Sequence, residues 1–240
     1  DTRVISGGSD VLIKIREGKM AGTSLVSIRD IKELNGITKK ENGDIYIGAG
    51  TTFSHITNDP VIQENIPVLG EAVDQVGGPQ IRNIGTIGGN ICNGAVSADS
   101  APTVFSLNAL LRIEDGNNGR TVPVRDFYLG PGRVDLKRGE ILTHVIIPAK
   151  EYQGYHGNYI KYSMRKAMDI ATLSCSVVSK VNTEKNILED VRITFGVAAP
   201  VPFRCEKTEA ALKGQEISEK LYEMTEQSIR QEINPRDSWR

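Results

Sequence analysis

The chain has 240 residues, of which 39% are hydrophobic and 25% are charged, a composition that is usual for globular domains. Its formal net charge of −1 gives no field of clustered Lys and Arg, so nucleic-acid binding is disfavoured. No apolar run approaches the roughly 20 residues that a membrane-spanning helix needs, so no membrane association is expected.

The chain begins with the pattern of a strand that leads into a glycine loop. Residues 3–6 are predicted to form the strand end, which runs into Gly7 and Gly8. Residues 10–17 follow with the apolar spacing of a short helix. A strand, a glycine loop and a helix are therefore predicted in this order.

A β-hairpin and a helix are predicted next. Asn42 and Gly43 lie between the extended flanks of residues 39–48, and an Asn-Gly pair readily takes the positive φ angles of a tight turn. Pro67 fits the first turn of a helix whose apolar residues recur at three- and four-residue steps up to residue 76.

Residues 79–100 are dense in glycine and are predicted to form a long irregular loop. Such a loop inside a compact domain is usually functional. A short apolar helix is predicted at residues 102–107, and strands are predicted at residues 110–113, 120–124 and 140–147.

Pro148 and the polar residues after it predict a boundary between two domains, residues 1–150 and residues 151–240. The second domain is predicted to be a small α+β domain. Its predicted elements are three strands and a terminal helix, at residues 158–162, 171–181, 191–197 and 218–233.

The cysteines and histidines are few and far apart, so no zinc site, iron–sulfur site or disulfide framework is indicated. We expect reduced, buried cysteines in a cytoplasmic protein, and no histidine-based catalytic triad. These residues are Cys92, Cys175, Cys205, His55, His144 and His156.

Two glycine-rich loops have the composition of a phosphate cradle, and together they could hold one pyrophosphate. Without a Cβ atom, glycine lets backbone N–H groups approach phosphate oxygens, and Ser9 and Thr86 can add hydroxyl donors. Either loop alone could also be a set of ordinary turn glycines. The loops are Gly7-Gly8-Ser9-Asp10 and Gly85-Thr86-Ile87-Gly88-Gly89-Asn90.

Other glycines do not form a nucleotide motif. Gly48, Gly50 and Phe53 lack the third glycine of a dinucleotide fingerprint, and we interpret this segment as a structural strand end. No Lys follows the glycine loops as a P-loop requires, so ATP hydrolysis is disfavoured.

Further motifs accompany the glycine loops along almost the whole chain. They are Gly78-Pro79-Gln80-Ile81-Arg82-Asn83, Asn93-Gly94, Ser97-Ala98-Asp99-Ser100, Gly130-Pro131-Gly132, Glu140-Ile141-Leu142, Lys161-Tyr162-Ser163-Met164-Arg165, Asp169-Ile170, Phe195-Gly196-Val197-Ala198-Ala199-Pro200 and Pro235-Arg236-Asp237-Ser238-Trp239-Arg240. Their order resembles that of the FAD subunits of molybdenum hydroxylases. The last two motifs resemble those of bacterial xanthine dehydrogenase FAD subunits in particular.

This resemblance implies an α+β fold class that the residue patterns alone do not name. The expected fold is the FAD-binding fold of the vanillyl-alcohol oxidase (PCMH) type, followed by a small C-terminal α+β domain of the CO dehydrogenase flavoprotein type. The resemblance also implies that both ends are truncated, with roughly thirty residues missing before the first loop and a helix missing after Trp239 and Arg240.

The resemblance assigns FAD contacts to residues from both domains. The first loop and Val11 are expected on one side of the pyrophosphate, and the second loop is expected on the other. Asp99 is expected at the adenosine end, although it could instead cap the helix that follows it. The chain near Glu140 and three residues of the second domain are expected near the flavin ring, although these three could form a solvated surface. Of Lys161, Arg165 and Asp169, only Lys161 and Asp169 are assigned to the site. The expected contacts are Gly7, Gly8, Ser9, Asp10, Val11, Thr86, Gly88, Gly89, Asn90, Asp99, Ile141, Leu142, Lys161 and Asp169.

The implied function is electron transfer through noncovalently bound FAD, with no catalytic residue and no metal ligand in this chain. The molybdenum cofactor and 2Fe-2S clusters are expected in partner subunits, xanthine or a related purine is the expected substrate, and NAD is the expected acceptor. The alternatives are the FAD subunit of a related heteroaromatic, aldehyde or CO hydroxylase, a self-sufficient flavin oxidoreductase of the same fold, and a scaffold with a vestigial flavin site. Electron relay is favoured because flavin can accept single electrons and release a pair.

Overall fold

The structure is a computed structural model that describes residues 2–237. Its strands are Thr2–Ile5 (β1), Ser24–Ser27 (β2), Ile37–Lys39 (β3), Ile45–Gly48 (β4), Leu110–Glu114 (β5), Gly119–Pro123 (β6), Tyr128–Gly130 (β7), Arg133–Val134 (β8), Ile141–Ile147 (β9), His156–Tyr162 (β10), Leu173–Asn182 (β11), Ile187–Gly196 (β12) and Phe203–Arg204 (β13). Its α-helices are Val11–Arg16 (α1), Phe53–Asn58 (α2), Pro60–Asn65 (α3), Pro67–Asp74 (α4), Pro79–Arg82 (α5), Ile87–Asn93 (α6), Ser100–Ser106 (α7), Val124–Phe127 (α8), Glu206–Leu212 (α9) and Glu219–Glu232 (α10). Residues 238–240, which end the last motif, lie outside the described residues.

A five-stranded antiparallel sheet with the order β3-β4-β9-β5-β6 forms the centre of the first part. Alternate residues of its inner strands point into the core, and Ile45, Ile47, Val145 and Ile147 are fully buried. The hairpin predicted around Asn42-Gly43 is confirmed, because β3 pairs with β4 and the backbone N–H of Asp44 donates to Asn42 Oδ1.

The predicted strand, glycine loop and helix at the start of the chain are also present. They form a small unit in which β1 pairs in parallel with β2 and α1 lies between the two strands in sequence. The strand β2 was not predicted. Its Leu25 and Val26 are adjacent and flanked by serines, so these four residues lack the apolar–polar alternation that would indicate a strand.

The expectation that residues 79–100 form an irregular loop is wrong. The segment contains α5, α6 and the start of α7. Pro79 occupies the first turn of α5, and the side chain of Thr86 accepts a hydrogen bond from the N–H of Gly89 to cap α6. Gly94 ends α6 with a left-handed φ of 65°. The many glycines in this segment indicated a loop, although it forms helices of four to seven residues. Helices this short are not stable alone and depend on tertiary contacts.

The second part is built on an antiparallel sheet with the order β10-β11-β12-β13. Its apolar residues pack with α9 and α10 in a separate hydrophobic cluster that includes Val191, Ile193, Leu212 and Leu221. The predicted strands and the terminal helix of this part are confirmed, whereas β13 and α9 were not predicted. A 3-10 turn at Ala149–Glu151 lies where the domain boundary is predicted, and the boundary itself stays a prediction.

The helix α7 lies between the two parts, and all seven of its residues are buried. It contacts α4 and α6 on one side and β11 and β12 on the other. The Ser106 and Ser176 hydroxyls are 2.9 Å apart across the second contact. The two parts therefore share a packed interface around one helix. Within the described residues, no helix is long and apolar enough to cross a membrane.

Candidate functional site

The two glycine loops contact each other through their backbones. A Cβ atom on Gly7 would overlap the carbonyl oxygen of Ile84, so only glycine allows this approach. The hydroxyl of Thr86 also donates to Ser6 Oγ across 3.2 Å. Two segments that are almost eighty residues apart in sequence are thus brought to one place, as a shared pyrophosphate site requires.

The first loop presents backbone donors that are not used within the protein. The N–H groups of residues 7–11 find no hydrogen-bond acceptor in the described part of the chain. Gly8 has a φ of 76°, which turns the chain from β1 toward α1 and which a residue with a Cβ atom rarely adopts. Successive free N–H groups in such a turn form a concave site that suits phosphate oxygens.

The second loop has its own backbone donors engaged. The N–H groups of Ile87 and Gly88 donate to the carbonyls of Thr51 and Ala49, and those of Gly89 and Asn90 donate to Thr86. This loop is therefore held against the end of β4 by its own hydrogen bonds. Its contribution to a phosphate site is the space that it leaves, because the Thr86 hydroxyl is engaged with Ser6 Oγ and with the N–H of Gly89.

The adjacent glycines Gly88 and Gly89 have different surroundings. A Cβ atom on Gly88 would lie 2.5 Å from Ala49 Cβ, so this glycine is required by packing. A Cβ atom on Gly89 would have only Thr86 Oγ1 nearby, at 3.0 Å, with open space beyond. Gly89 is exposed. The open space and the free donors of the first loop fit a pyrophosphate group.

Asn90 connects the second loop to α7. Its Oδ1 accepts a hydrogen bond of 2.6 Å from the hydroxyl of Ser100, the first residue of α7. Ser100 is fully buried, so the Asn90 side chain is held in one orientation. Asp99, which precedes Ser100, is thereby placed close to the second loop.

Asp99 forms a buried cluster with two residues of β10. Its Oδ1 accepts from the Tyr159 hydroxyl at 2.8 Å, and its Oδ2 accepts from Lys161 Nζ at 2.8 Å. Lys161 Nζ also donates to the carbonyl of Gln75 at 2.9 Å. Burial raises the pKa of Asp99, and the hydrogen bonds from Lys161 and Tyr159 oppose this shift.

The structure excludes two simpler roles that the sequence leaves open, which are a helix cap for Asp99 and a solvated surface position for Lys161. Asp99 stands at the N-cap position of α7, but its side chain makes no capping hydrogen bond. Lys161 does not lie on a solvated surface, because its side chain is only 6% exposed. The resemblance assigns Asp99 and Lys161 to opposite ends of FAD, whereas the ion pair places them side by side. Their opposite charges largely cancel at a distance, so Lys161 is not an isolated cation.

Asp169 closes a turn that follows β10. Partial burial disfavours its ionised form, but the backbone N–H groups of Ile170 and Arg165 outweigh this effect and the pKa of Asp169 is lowered. Arg165 is exposed and lies 3.5 Å from the carboxylate. Met168, in the same turn, has a φ of 53° and contacts the chain at Gly78.

The residues near Glu140 differ in how accessible they are. Glu140 is held by Arg120, which donates to both of its carboxylate oxygens at 2.8 Å, and this bond lowers the pKa of Glu140. The side chain of Leu142 is 3% exposed and belongs to the core, whereas Ile141 is half-buried. Ile141 is therefore the more accessible of the two predicted flavin contacts.

The cysteines are free in the described residues, and burial raises the pKa of each to about 12. Thiols with such pKa values are poor nucleophiles. Cys205 is buried as expected, whereas Cys92 and Cys175 are only half-buried. Within residues 2–237, no group of His, Cys, Asp and Glu could hold a metal ion.

Two residues of the site were not predicted from the sequence. Tyr159 and Gln75 both contact the pair formed by Asp99 and Lys161. The alternation of β10 could have indicated Tyr159, because it lies two residues before Lys161 and therefore on the same face of the strand. Gln75 contributes a backbone carbonyl, which no sequence pattern reveals.

Comparison with known proteins identifies the family of the chain. Residues 1–150 match the family described as the FAD binding domain in molybdopterin dehydrogenase, and residues 158–240 match the CO dehydrogenase flavoprotein C-terminal domain. The xanthine dehydrogenase FAD-binding subunit of Escherichia coli O157:H7 is 38% identical over 99% of this chain and 81% of its own length. The nicotinate dehydrogenase FAD-subunit of Eubacterium barkeri is 32% identical over 92% of this chain and 75% of its own length.

A solved structure of carbon monoxide dehydrogenase from Hydrogenophaga pseudoflava superimposes with a TM-score of 0.92 at 29% identity, over 99% of this chain and 81% of that one. The expected α+β fold class, with an FAD-binding domain followed by a C-terminal flavoprotein domain, is therefore confirmed. The chain belongs to the family of FAD-binding subunits of molybdenum hydroxylases, the molybdopterin dehydrogenases.

Proposed function

We propose that this chain binds FAD noncovalently between its two glycine loops and passes electrons from 2Fe-2S clusters of a partner subunit to NAD. One observation carries this proposal. The first loop has unused backbone N–H groups at residues 7–11, and the second loop, which contacts the first, leaves open space beside Gly89. These features are suited to the two sides of one pyrophosphate. Bound FAD supplies the ability to accept electrons singly and to release them as a pair.

In this proposal the first loop binds one side of the pyrophosphate and the second loop shapes the other. The first loop and Val11 contribute backbone N–H groups, and Ser9 also contributes its hydroxyl. The residues are Gly7, Gly8, Ser9, Asp10 and Val11. The second loop contributes space, and its Thr86 hydroxyl connects the two loops through Ser6. The residues of this loop are Thr86, Gly88, Gly89 and Asn90. Gly88 acts by packing against β4 and Gly89 by leaving room.

The remaining proposed contacts orient the two ends of the cofactor. Asp99 contributes a carboxylate that can accept hydrogen bonds from sugar hydroxyls. Lys161 lies beside Asp99 and acts at the same end of the cofactor. Near the flavin ring, Ile141 lines one side with the buried Leu142 behind it, and Asp169 approaches from the second domain. The charge of Lys161 is paired with that of Asp99, so we assign the stronger electrostatic influence on the flavin to Asp169 and its turn.

We further propose that the assembled enzyme contains a molybdenum-binding subunit that hydroxylates xanthine or a related purine in the cytoplasm. The similarity to a xanthine dehydrogenase subunit supports this substrate. Other relatives are named for nicotinate and carbon monoxide, so a related heteroaromatic, aldehyde or CO hydroxylase is the alternative. The substrate site lies in another subunit in every one of these cases.

Co-purification of the full-length protein tests this assignment. We expect a molybdenum-binding subunit and a 2Fe-2S subunit to accompany it in fixed proportion, and acid precipitation of the complex should release intact FAD. Flavin that stays with the denatured chain would contradict noncovalent binding. A protein that purifies alone and oxidises a substrate through its own FAD would instead support a self-sufficient oxidoreductase.

A further inference from the structure

Tyr159 connects the second domain to Asp99 by a short, buried hydrogen bond. The Tyr159 side chain is 5% exposed, and its hydroxyl lies 2.8 Å from Asp99 Oδ1. Burial and the adjacent carboxylate raise the pKa of Tyr159, so the hydroxyl stays protonated and acts as the donor. The proposed function gives this residue no part.

The Asp99 carboxylate keeps acceptor positions after these bonds are made. Each carboxylate oxygen offers two acceptor positions, and Tyr159 and Lys161 occupy one on each oxygen. Each oxygen can therefore accept one more hydrogen bond. The Asp99 side chain is 8% exposed, and we expect neighbouring hydroxyls of a sugar to reach these positions from the exposed edge. The direction of these free positions depends on how the carboxylate is rotated about the bond to its Cβ atom.

Lys161 alone does not set this rotation. Its side chain is long, and its ammonium group is shared with the carbonyl of Gln75. The terminal torsion of an aspartate is broad, so a single hydrogen bond to Oδ2 leaves Oδ1 free to move. The rigid ring of Tyr159 holds the second oxygen and thereby sets the plane of the carboxylate.

The backbone that carries Tyr159 is itself held in place. All seven residues of β10 pair with β11, and β10 also packs against α4 of the first domain. At Gly157 the strand approaches so closely that a Cβ atom would lie 2.7 Å from Val68 Cγ1. The position of the Tyr159 hydroxyl is thus fixed relative to the first domain.

Resting on the proposed function, we propose that Tyr159 is a positioning residue for FAD. Its hydroxyl orients the Asp99 carboxylate so that the free acceptor positions of both oxygens meet hydroxyl groups of the cofactor. Tyr159 does not touch FAD and acts only through Asp99.

The variant Tyr159→Phe tests this role in the full-length protein, with FAD affinity measured by quenching of flavin fluorescence. We expect the Kd for FAD to rise about tenfold, which corresponds to about 1.4 kcal/mol. Tyr155→Phe is the matched control, because it also removes a 2.8 Å hydrogen bond to an aspartate, Asp190, at a site away from Asp99. The control should keep the Kd for FAD within about twofold of the unmodified protein.

The pH dependence of FAD affinity separates positioning from a general loss of packing. Tyr159 and Lys161 are the groups that face Asp99, and both stabilise its ionised form. Removing the Tyr159 hydroxyl should raise the pKa of Asp99, so FAD affinity should begin to fall at a higher pH as the solution is acidified. In an Asp99→Asn background, Tyr159→Phe should add no further loss of affinity, because the carboxylate through which it acts is gone.

Equal FAD affinities of Tyr159→Phe and Tyr155→Phe would overturn the inference, and so would an additive loss in the Asp99→Asn background. An unchanged pH profile in Tyr159→Phe would also overturn it. These results leave the proposed function intact, provided that the unmodified protein binds FAD. Failure of the unmodified protein to bind FAD would contradict the proposed function itself.

Discussion

Gly88 and Gly89 are neighbours, but only Gly88 is confined by a neighbouring element of the protein. Ala49 Cβ would lie 2.5 Å from a methyl carbon added to Gly88. Gly89 is next to open space, in which we propose that the pyrophosphate binds. We therefore expect substitutions at the two glycines to affect fold stability and FAD binding separately.

The first prediction is that Gly89→Val weakens FAD binding at least roughly a hundredfold while the apoprotein stays folded. The Val methyl groups would occupy the space proposed for the pyrophosphate. Gly88→Ala is the contrasting variant, and it should lower the free energy of unfolding by roughly 1–3 kcal/mol because the methyl group is forced against Ala49. Flavin fluorescence and thermal unfolding measure the two effects. Normal FAD occupancy in Gly89→Val would remove Gly89 from the site.

The second prediction concerns the charge of Asp169. The N–H groups of Arg165 and Ile170 donate to different oxygens of Asp169, so Asp169→Asn keeps an acceptor for one of them and removes the charge, whereas Asp169→Ala removes both acceptors and the charge. We expect both variants to retain FAD and to change the rate of electron exchange with NADH, because a nearby charge acts mainly on the reduced flavin. Stopped-flow measurement of flavin reduction gives this rate. If the rate of flavin reduction changes in Asp169→Ala but not in Asp169→Asn, the shape of the turn affects the rate and the charge does not.

At the scale of elements, α7 is held at both ends by the second domain. Lys161 and Tyr159 bind Asp99 just before its first turn. At its other end, Arg192 donates to the carbonyls of Ser106 and Glu151 and pairs with the Glu151 carboxylate at 3.0 Å. Cationic groups near the carbonyl end of a helix are electrostatically favourable.

The third prediction is that Arg192→Met lowers the free energy of unfolding by roughly 3 kcal/mol. The loss is large because the Arg192 side chain is 7% exposed and its removal leaves Glu151 with only the exposed Lys150, 3.8 Å away, as a charged neighbour. Arg230→Met is the control, since the pair of Arg230 with Glu226 is largely exposed and should contribute less than about 0.5 kcal/mol. Urea unfolding of both variants measures the difference. If the two variants lower the free energy of unfolding equally, the contact of Arg192 with α7 contributes little to stability.

At the scale of the whole molecule, the two domains meet across a partly polar interface. Ser174, Ser176 and Thr194 are buried on β11 and β12, the Ser176 hydroxyl contacts Ser106 of α7, and Val178 and Tyr159 pack into the core of the first domain. The proposed FAD site draws residues from both sides of this interface. Electron transfer through the cofactor therefore depends on the two domains being held together.

The fourth prediction is that the FAD-loaded chain exchanges electrons with NADH but is not reduced by xanthine. Exchange with NADH needs only an accessible flavin face and a surface for the nicotinamide. Oxidation of xanthine needs molybdenum and iron–sulfur centres, and the cysteines here are too far apart in sequence to be cluster ligands. Anaerobic absorption spectra of the flavin, recorded after NADH is added and separately after xanthine is added, check both parts of this prediction. Reduction of the flavin by xanthine, with no partner subunit present, would contradict the proposed electron-transfer role.

The sequence by itself determined where most elements lie and to which family the chain belongs. The Asn42-Gly43 turn and the strands β5, β9, β11 and β12 follow from local conformational preference and from alternation, which act over a few residues. The motifs are local in the same sense, so the family could be recognised without coordinates. Residues 79–100 were misjudged because their short helices depend on contacts with distant segments.

Only the tertiary structure decided which of the predicted site residues meet. The Asp99 carboxylate and its two partners on β10 are about sixty residues apart in the chain, and no local pattern specifies a pair at that separation. The different roles of Gly88 and Gly89 likewise depend on Ala49, which lies on another element. Such contacts are set by how α7 packs between the two sheets, and packing is a property of the whole fold.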